Sequence, residues 1–235
     1  MNAEPGTDSE IEWQFEAPDP HLVLRWLERA RDESTDQVRI AKARTIDHVD
    51  SYLDTKDREL DRAGYSVRLR RSEHPPYEAT LKTLDAPGPD ALRIRRELSE
   101  PVELDEPGAV RDAPGPVGEQ VRAVAGSREL ERLFDLETRR RVFPLATAEA
   151  PSGELLLDET TIREADGRII GRLSRVEVEV PETAIPVVRP FVESLQRDCD
   201  LQPAELSKYE AALKASGRRR SSASDDVAPH AGSGS

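Results

Sequence analysis

Basic and acidic side chains recur at alternate positions along several segments of this sequence, and their spacing suits phosphate and metal chemistry. Arg68 and Arg70 lie two positions apart, as do Glu10 and Glu12 near the start of the chain. In an extended strand, such pairs leave the backbone on one face, about 6.5–7 Å apart. Guanidinium groups bind phosphate oxygens through forked hydrogen bonds, and paired carboxylates suit divalent ions such as Mg²⁺. Basic groups beside a carboxylate-bound metal are the combination that phosphoryl transfer uses.

The same charged pattern recurs in four further segments, where it alternates with apolar residues. The charged positions there are Lys82, Arg95, Arg139 with Arg141, and Glu177 with Glu179. A sheet with one face in water would explain any one of these segments. Arg and Glu dominate every charged face, however, and about eight strands are enough to close a barrel. We therefore predict that the charged faces line the interior, which needs water, metal and an anionic ligand because unpaired buried charge is too costly.

The elements that position these residues follow from hydrophobic periodicity. Alternation predicts strands at 9–17, 38–54, 65–71, 77–84, 91–99, 137–145, 154–163 and 168–180. Apolar stripes predict helices at 19–31, 118–134 (interrupted near Gly126), 184–199 and 203–216. A short helical turn is expected at 57–65 and a loop at 101–116. We expect one domain over 9–216, preceded by a disordered lead (1–8) and followed by a disordered tail (217–235).

Composition excludes several classes of protein. The 235 residues carry a net charge of −13, which opposes general binding to nucleic acid or to an anionic membrane. The single cysteine, Cys199, allows neither an intramolecular disulfide nor a cysteine-based zinc site. No apolar run approaches the ~20 residues that a membrane span needs, and the acidic N-terminus does not resemble a signal peptide. We expect a soluble cytoplasmic protein without nucleic-acid or membrane partners, either a monomer or a homodimer.

The order of the charged motifs resembles that of CYTH proteins, also called triphosphate tunnel metalloenzymes. EIEWQF at 10–15 resembles the N-terminal ExExK signature of that family, and SYLDTKDRELDRAGYSVRLRR at 51–71 resembles its next segment closely. The remaining motifs follow in the family's order: TLK (80–82), RRE (95–97), TRRR (138–141), LLLDE (155–159), VEVEV (176–180) and SKY (207–209). The resemblance covers roughly residues 9–213.

This resemblance implies a mainly β (α+β) fold, an eight-stranded antiparallel β-barrel tunnel with helices packed outside. It further implies a metal-dependent hydrolase of inorganic triphosphate or a small organic triphosphate, with Mg²⁺ or Mn²⁺ as cofactor. The residues that it assigns to the metal side are Glu10, Glu12, Asp158, Glu177 and Glu179. Those that it assigns to the phosphate side are Arg68, Arg70, Lys82, Arg95, Arg139 and Arg141, with Lys208 reaching the terminal phosphate. The catalytic assignments are Glu10, Glu12 and Lys208.

One departure from the family signature leaves alternatives open. Gln14 stands where the signature has lysine. The uncharged side chain either weakens phosphate binding, changes the substrate, or marks a protein that binds polyphosphate or a nucleotide without efficient turnover. Adenylate cyclase activity also occurs in the family. A lipocalin-like carrier of apolar ligands is a further alternative, although it needs an apolar interior. Tyr52 is interpreted as a packing residue.

Overall fold

The computed structural model describes residues 7–32, 38–71, 75–84, 91–147 and 151–218. Most of the predicted lead and tail lies outside the described residues, as does the turn at 85–90. Thr7 and Asp8, which were expected in the lead, belong to the first strand instead. No helix among the described residues combines the length and the apolarity that crossing a membrane requires.

The described chain forms ten strands and six α-helices. The strands are β1 (Thr7–Glu16), β2 (Arg39–Ile40), β3 (Arg44–Thr55), β4 (Tyr65–Arg71), β5 (Tyr77–Thr83), β6 (Leu92–Val102), β7 (Leu130–Ala146), β8 (Pro151–Glu164), β9 (Ile169–Glu179) and β10 (Gln202–Pro203). The helices are α1 (Pro20–Asp32), α2 (Glu59–Arg62), α3 (Pro107–Asp112), α4 (Pro116–Ala125), α5 (Ile185–Asp198) and α6 (Lys208–Ala215).

Eight of the strands close into an antiparallel barrel. Their order is β1-β6-β5-β4-β3-β7-β8-β9, and β9 pairs again with β1. The two-residue strands β2 and β10 add to β7 and β1 respectively. The closed eight-stranded barrel with helices outside confirms the predicted fold class.

The apolar faces of the strands point outward, beneath the helices. Trp13, Phe15 and Val178 pack with α1 and α5 in one cluster on the outer side of the barrel. Val67 and Leu81 pack in a second cluster with α3 and α4. Since side chains alternate along a strand, covering these faces directs the charged faces inward.

The last helix, α6, packs on the inner side of the barrel rather than the outer. Tyr209, Ala212 and Leu213 contact Phe134 and Ile162, which point inward from β7 and β8. Ser207 caps the helix with a capping box, its hydroxyl accepting a hydrogen bond from the backbone N–H of residue 210. This cap places Lys208 in the first turn of α6, at the edge of the barrel interior.

Three predicted elements differ from the structure. The helix expected over 118–134 ends at Ala125, at the interruption expected near Gly126, which adopts a positive φ of 62°, and it does not resume. Residues 130–134 then belong to β7, where pairing with β3 overrides the local helical pattern. The expected loop at 101–116 contains α3, and the helix expected from residue 203 begins at Lys208.

Candidate active site

The interior of the barrel holds a cavity of about 820 Å³ with strongly charged walls. Six basic side chains line it: Arg68, Arg70, Lys82, Arg95, Arg140 and Lys208. The acidic side chains that point into it include Glu10, Glu12, Glu97, Glu177 and Glu179. The structure thus gathers most of the predicted site residues, which come from distant parts of the sequence. Such walls do not suit the apolar ligand of a lipocalin-like carrier.

Three carboxylates form the acidic side of the cavity. Oxygen atoms of Glu10, Glu12 and Glu179 lie within 4.8 Å of one another. Burial and the nearby Glu10 raise the pKa of Glu12 to about 8, and burial and Glu177 raise the pKa of Glu179 to about 7. Near neutral pH these two carboxyls therefore retain protons, at Glu12 mostly and at Glu179 in part, which a bound cation would displace. Clustered carboxylate oxygens are the donors that Mg²⁺ and Mn²⁺ prefer, so these residues fit a divalent ion.

Lys82 and Arg95 connect this acidic side to the neighbouring wall. The Nζ atom of Lys82 lies 2.6 Å from Glu10 Oε1 and 2.8 Å from Glu97 Oε2. Arg95 donates to Glu12 and, at 3.3 Å, to Glu10. Although burial alone would raise it, Lys82 and Arg95 lower the pKa of Glu10 to about 2. Glu10 is thus ionised, and Lys82 and Arg95 are both paired with carboxylates of the protein.

A second charged cluster joins β7, β8, β9 and α6. Lys208 Nζ donates to Asp158 Oδ2 at 2.5 Å and to Glu177 Oε2 at 2.9 Å. Arg140 donates to both oxygens of Asp158, at 2.8 and 2.7 Å. Although burial opposes it, Asp158 and Glu177 raise the pKa of Lys208. Lys208 is therefore a firmly charged ammonium at the cavity wall, as its predicted role requires.

The structure corrects the assignment of Arg139 and Arg141 to the phosphate-binding wall. Arg140 pairs with Asp158 in the register of β7 and β8 and points inward, so its two neighbours point outward. Arg139 is exposed and lines a depression on the outer surface, and Arg141 donates to Glu159. The outward direction of this part of β7 is set by Phe143 and Leu145, which pack in the outer cluster with α1 and α5.

Asp50 is a site residue that sequence reasoning missed. It lies on β3, is only 4% exposed, and accepts a forked pair of hydrogen bonds from Arg70 at 2.7 and 2.8 Å. Arg68 donates to the same carboxylate at 3.4 Å. Asp50 shares its strand face with Tyr52, so the alternation used elsewhere could have identified it. Its carboxylate fixes the orientation of two of the six cations.

Gln14 lies in the cavity wall, and both of its amide contacts are to carboxylates. Its Nε2 atom donates to Glu12 Oε1 at 2.7 Å and to Glu177 Oε1 at 3.1 Å. Gln14 therefore joins the two charged clusters as a neutral donor. It adds no positive charge between two acidic groups.

Comparisons with known proteins agree with this architecture. The sequence model of the CYTH domain matches residues 9–211. The chain belongs to the CYTH family. A search of curated protein sequences found no match.

Solved structures share the CYTH fold of this chain at low sequence identity. One is HpAC1 from Hippeastrum, an adenylyl cyclase candidate described as having a dominant triphosphatase activity. It is 19% identical, with a TM-score of 0.62 over 89% of this chain and 96% of HpAC1. Another is an adenylate cyclase candidate from Bacillus halodurans, 18% identical, with a TM-score of 0.55 over 86% of this chain and 95% of that one. At these identities the likeness establishes the fold.

Proposed function

We propose that this CYTH protein is a metal-dependent triphosphatase that hydrolyses inorganic triphosphate or a small organic triphosphate. One observation carries the proposal: six basic side chains and a cluster of three carboxylates line a single cavity. Guanidinium and ammonium groups match phosphate oxygens, and the carboxylates match a divalent ion. The triphosphatase activity described for HpAC1 is consistent with this assignment.

The basic side chains hold the phosphate chain and place it against the acidic side. Arg68 and Arg70, oriented by Asp50, form one anchoring pair. Lys208 and Arg140 share their carboxylate partners, so each can turn toward a phosphate without leaving a buried carboxylate unpaired. A divalent ion at Glu10, Glu12 and Glu179 would neutralise charge on the phosphate oxygens as a Lewis acid. Several of these side chains are largely buried in the barrel wall, which strengthens their electrostatic contacts.

Metal and polyphosphate should bind cooperatively. Glu10 and Glu12 hold Lys82 and Arg95 in the structure. Carboxylates that ligate a divalent ion hold these cations less strongly, which frees them for phosphate oxygens. The net charge of −13 also disfavours a free polyanion at long range. We expect Mg²⁺ to tighten triphosphate binding measured by calorimetry, and equal affinity with and without Mg²⁺ would contradict the arrangement.

A phosphate-release screen tests the function directly. The substrates are inorganic triphosphate, longer polyphosphate, thiamine triphosphate and ATP, each with Mg²⁺ and with Mn²⁺. Hydrolysis of a triphosphate supports the proposal, and calorimetric binding without release of either phosphate or pyrophosphate identifies a non-catalytic polyphosphate-binding protein. The ATP arm also separates the two activities named for HpAC1, because a cyclase releases pyrophosphate rather than phosphate.

Two neighbouring arginines provide a matched pair of variants for this screen. Arg140→Gln should lower kcat/KM by about 100-fold, the magnitude typical of losing one preorganised electrostatic contact. Arg139→Gln, on the outer surface, should leave kcat/KM unchanged. Equal kinetic effects would show that the inward arginine has no special role.

The acidic side is tested by a double variant. Glu10→Gln with Glu12→Gln should abolish metal-dependent hydrolysis, because it removes two of the three clustered carboxylates. The same variant should lose Mn²⁺ binding followed by electron paramagnetic resonance. Unchanged turnover in this variant would remove the proposed metal role from β1.

A further inference from the structure

Two arginines hold the segment that leads into α6. Arg93 of β6 and Arg175 of β9 are each 2% exposed, and their strands flank β1 in the barrel. Arg93 donates to the backbone oxygens of Ala204 and Glu205, at 2.7 and 3.4 Å. Arg175 donates to the backbone oxygen of Leu206 at 3.0 Å. Guanidinium groups thus hold three consecutive carbonyls immediately before the N-cap of α6.

The same segment is tied to β1 on another side. Ala204 donates its backbone N–H to the carbonyl oxygen of Gln14 at 2.9 Å. Just before it, the two-residue strand β10 pairs with the end of β1, where Gln202 lies opposite Glu16. Residues 202–206, which we call the strap, therefore contact three neighbouring strands before the chain enters α6.

The burial of these two guanidinium groups is costly and needs an explanation. Neither lines the catalytic cavity that the described residues enclose. Arg175 lies 2.8 Å from Glu16, which is 45% exposed, and among the described residues the hydrogen bonds of Arg93 all go to the strap. Burial lowers the pKa of both arginines, because it penalises the charged form. An aliphatic side chain would fill the same space at lower cost, so packing does not account for them.

Lys208 is the cavity residue whose position depends on the strap. It lies in the first turn of α6, directly after the N-cap, where the helix dipole disfavours a cation. Its ammonium nevertheless reaches Asp158 and Glu177, at 2.5 and 2.9 Å. Apolar packing holds Tyr209 and Leu213 in the barrel but is not directional, so it does not by itself set where the helix begins. The contacts of the strap supply that information.

We propose that Arg93 and Arg175 are positioning residues, which set the position of the Lys208 ammonium through the backbone of the strap. The proposal rests on the triphosphatase function proposed above, in which Lys208 binds the polyphosphate. Guanidinium groups suit this task because they donate from a rigid, planar fork, which fixes the direction of each accepting carbonyl. Without them the first turn of α6 gains freedom, and the ammonium spends less time at the cavity wall.

The rate at which each lysine reacts with acetic anhydride, followed by mass spectrometry, tests the position of Lys208 without any substrate. Lys208 and Lys82 form a matched pair, because carboxylates hold both ammonium groups and their side chains are 15% and 16% exposed. Such ammonium groups react slowly, since acylation needs the neutral amine. Arg93→Met removes the donors that bind the strap and should raise the rate of Lys208 about tenfold, the factor for losing one hydrogen bond to a charged group. The rate of Lys82 should not change.

A kinetic cycle with inorganic triphosphate and Mg²⁺ tests the consequence for function. Arg93→Met should lower kcat/KM about tenfold when Lys208 is present. In a protein that already carries Lys208→Met, the same substitution should cost nothing further, because the group that it positions is gone. A merely structural role would lower kcat/KM by the same factor in both backgrounds. Arg175→Met takes the place of Arg93→Met in both assays if the latter does not fold.

The outcomes separate this inference from the proposed function. A rise in acetylation confined to Lys208, with a kinetic effect that vanishes in Lys208→Met, supports the assignment. An unchanged rate for Lys208, or an equal rise for Lys82 and Lys208, overturns the positioning role but leaves the triphosphatase function standing. Equal kinetic losses in the two backgrounds overturn it as well. A rise confined to Lys208 in a protein that does not hydrolyse triphosphate overturns the proposed function and keeps the arginines as positioning residues.

Discussion

Replacing Asp50 with asparagine should destabilise the protein by about 3 kcal/mol, the lower part of the range for breaking a buried ion pair. The Asp50 side chain is almost fully buried, and Arg70 donates two charge-assisted hydrogen bonds to it at 2.7 and 2.8 Å. The amide introduced by the substitution would keep one acceptor but point an N–H group toward guanidinium donors. Arg68 and Arg70 would then lose most of their negative counter-charge inside the barrel.

The assay is chemical or thermal unfolding of the variant beside a matched control. Asp135 of β7 also pairs with an arginine of β4, Arg71, but on the outer face of the barrel. That pair is partly exposed, so Asp135→Asn should cost only about 1 kcal/mol. For a protein of this size, a loss of 3 kcal/mol lowers the thermal midpoint by roughly 6–12 °C. Equal losses of unfolding free energy in the two variants would refute the stabilising role given to the buried ion pair of Asp50 with Arg70. A loss below about 1 kcal/mol for Asp50→Asn would refute it as well.

Three further predictions concern pH, the cavity charge and the last helix. Burial, Arg70 and Arg140 lower the pKa of His48 to about 3. Between this pH and about pH 6.5, His48 is therefore protonated in the unfolded chain and neutral in the folded protein. The contribution of His48 to stability is therefore full above about pH 6.5 and falls by about 1.4 kcal/mol per pH unit toward pH 3. In urea unfolding between about pH 7.5 and 5, the wild type should lose about 2 kcal/mol more than His48→Gln. Parallel losses in the two proteins would contradict this prediction. Gln14→Lys adds a positive charge to the cavity and should tighten metal-free triphosphate binding about fivefold in calorimetry, since charge-assisted bonds are about twice as strong as neutral ones. Gln14→Met is the uncharged control. An unchanged Kd for triphosphate in Gln14→Lys would contradict the prediction. Ser207→Ala removes the N-cap of α6 and should cost about 1 kcal/mol in denaturant unfolding, whereas an unchanged midpoint would show that the cap contributes nothing.

The sequence alone determined that this chain folds into a barrel with a charged interior. Strand side chains alternate with a period of two, so the order of apolar and charged residues in β1, β4 and β6 already separates two faces. The helices need an apolar surface, which assigns the charged faces to the inside. Glu10, Glu12, Arg68, Arg95 and their partners were therefore predictable from local pattern, and the structure places them around one cavity.

Local pattern could not decide which arginine of the run 139–141 faces inward. Three consecutive arginines fit either alternation, and the choice of Arg139 with Arg141 was wrong. The register of β7 against β8 decided it, because Arg140 lies directly opposite Asp158. Register depends on contacts along the whole strand, including the apolar residues at 143 and 145 that pack on the outer side.

Only the tertiary structure decided which charged groups meet. Gln14 contacts Glu177, which is 163 positions away, and Lys208 contacts Asp158, which is 50 positions away. Closure of the barrel through β1 and β9 and the packing of α6 against its inner face create these contacts. They hold the cations against carboxylates in the structure. A sequence specifies which face each side chain takes, but distances across the cavity follow from how the sheet closes and where the last helix enters.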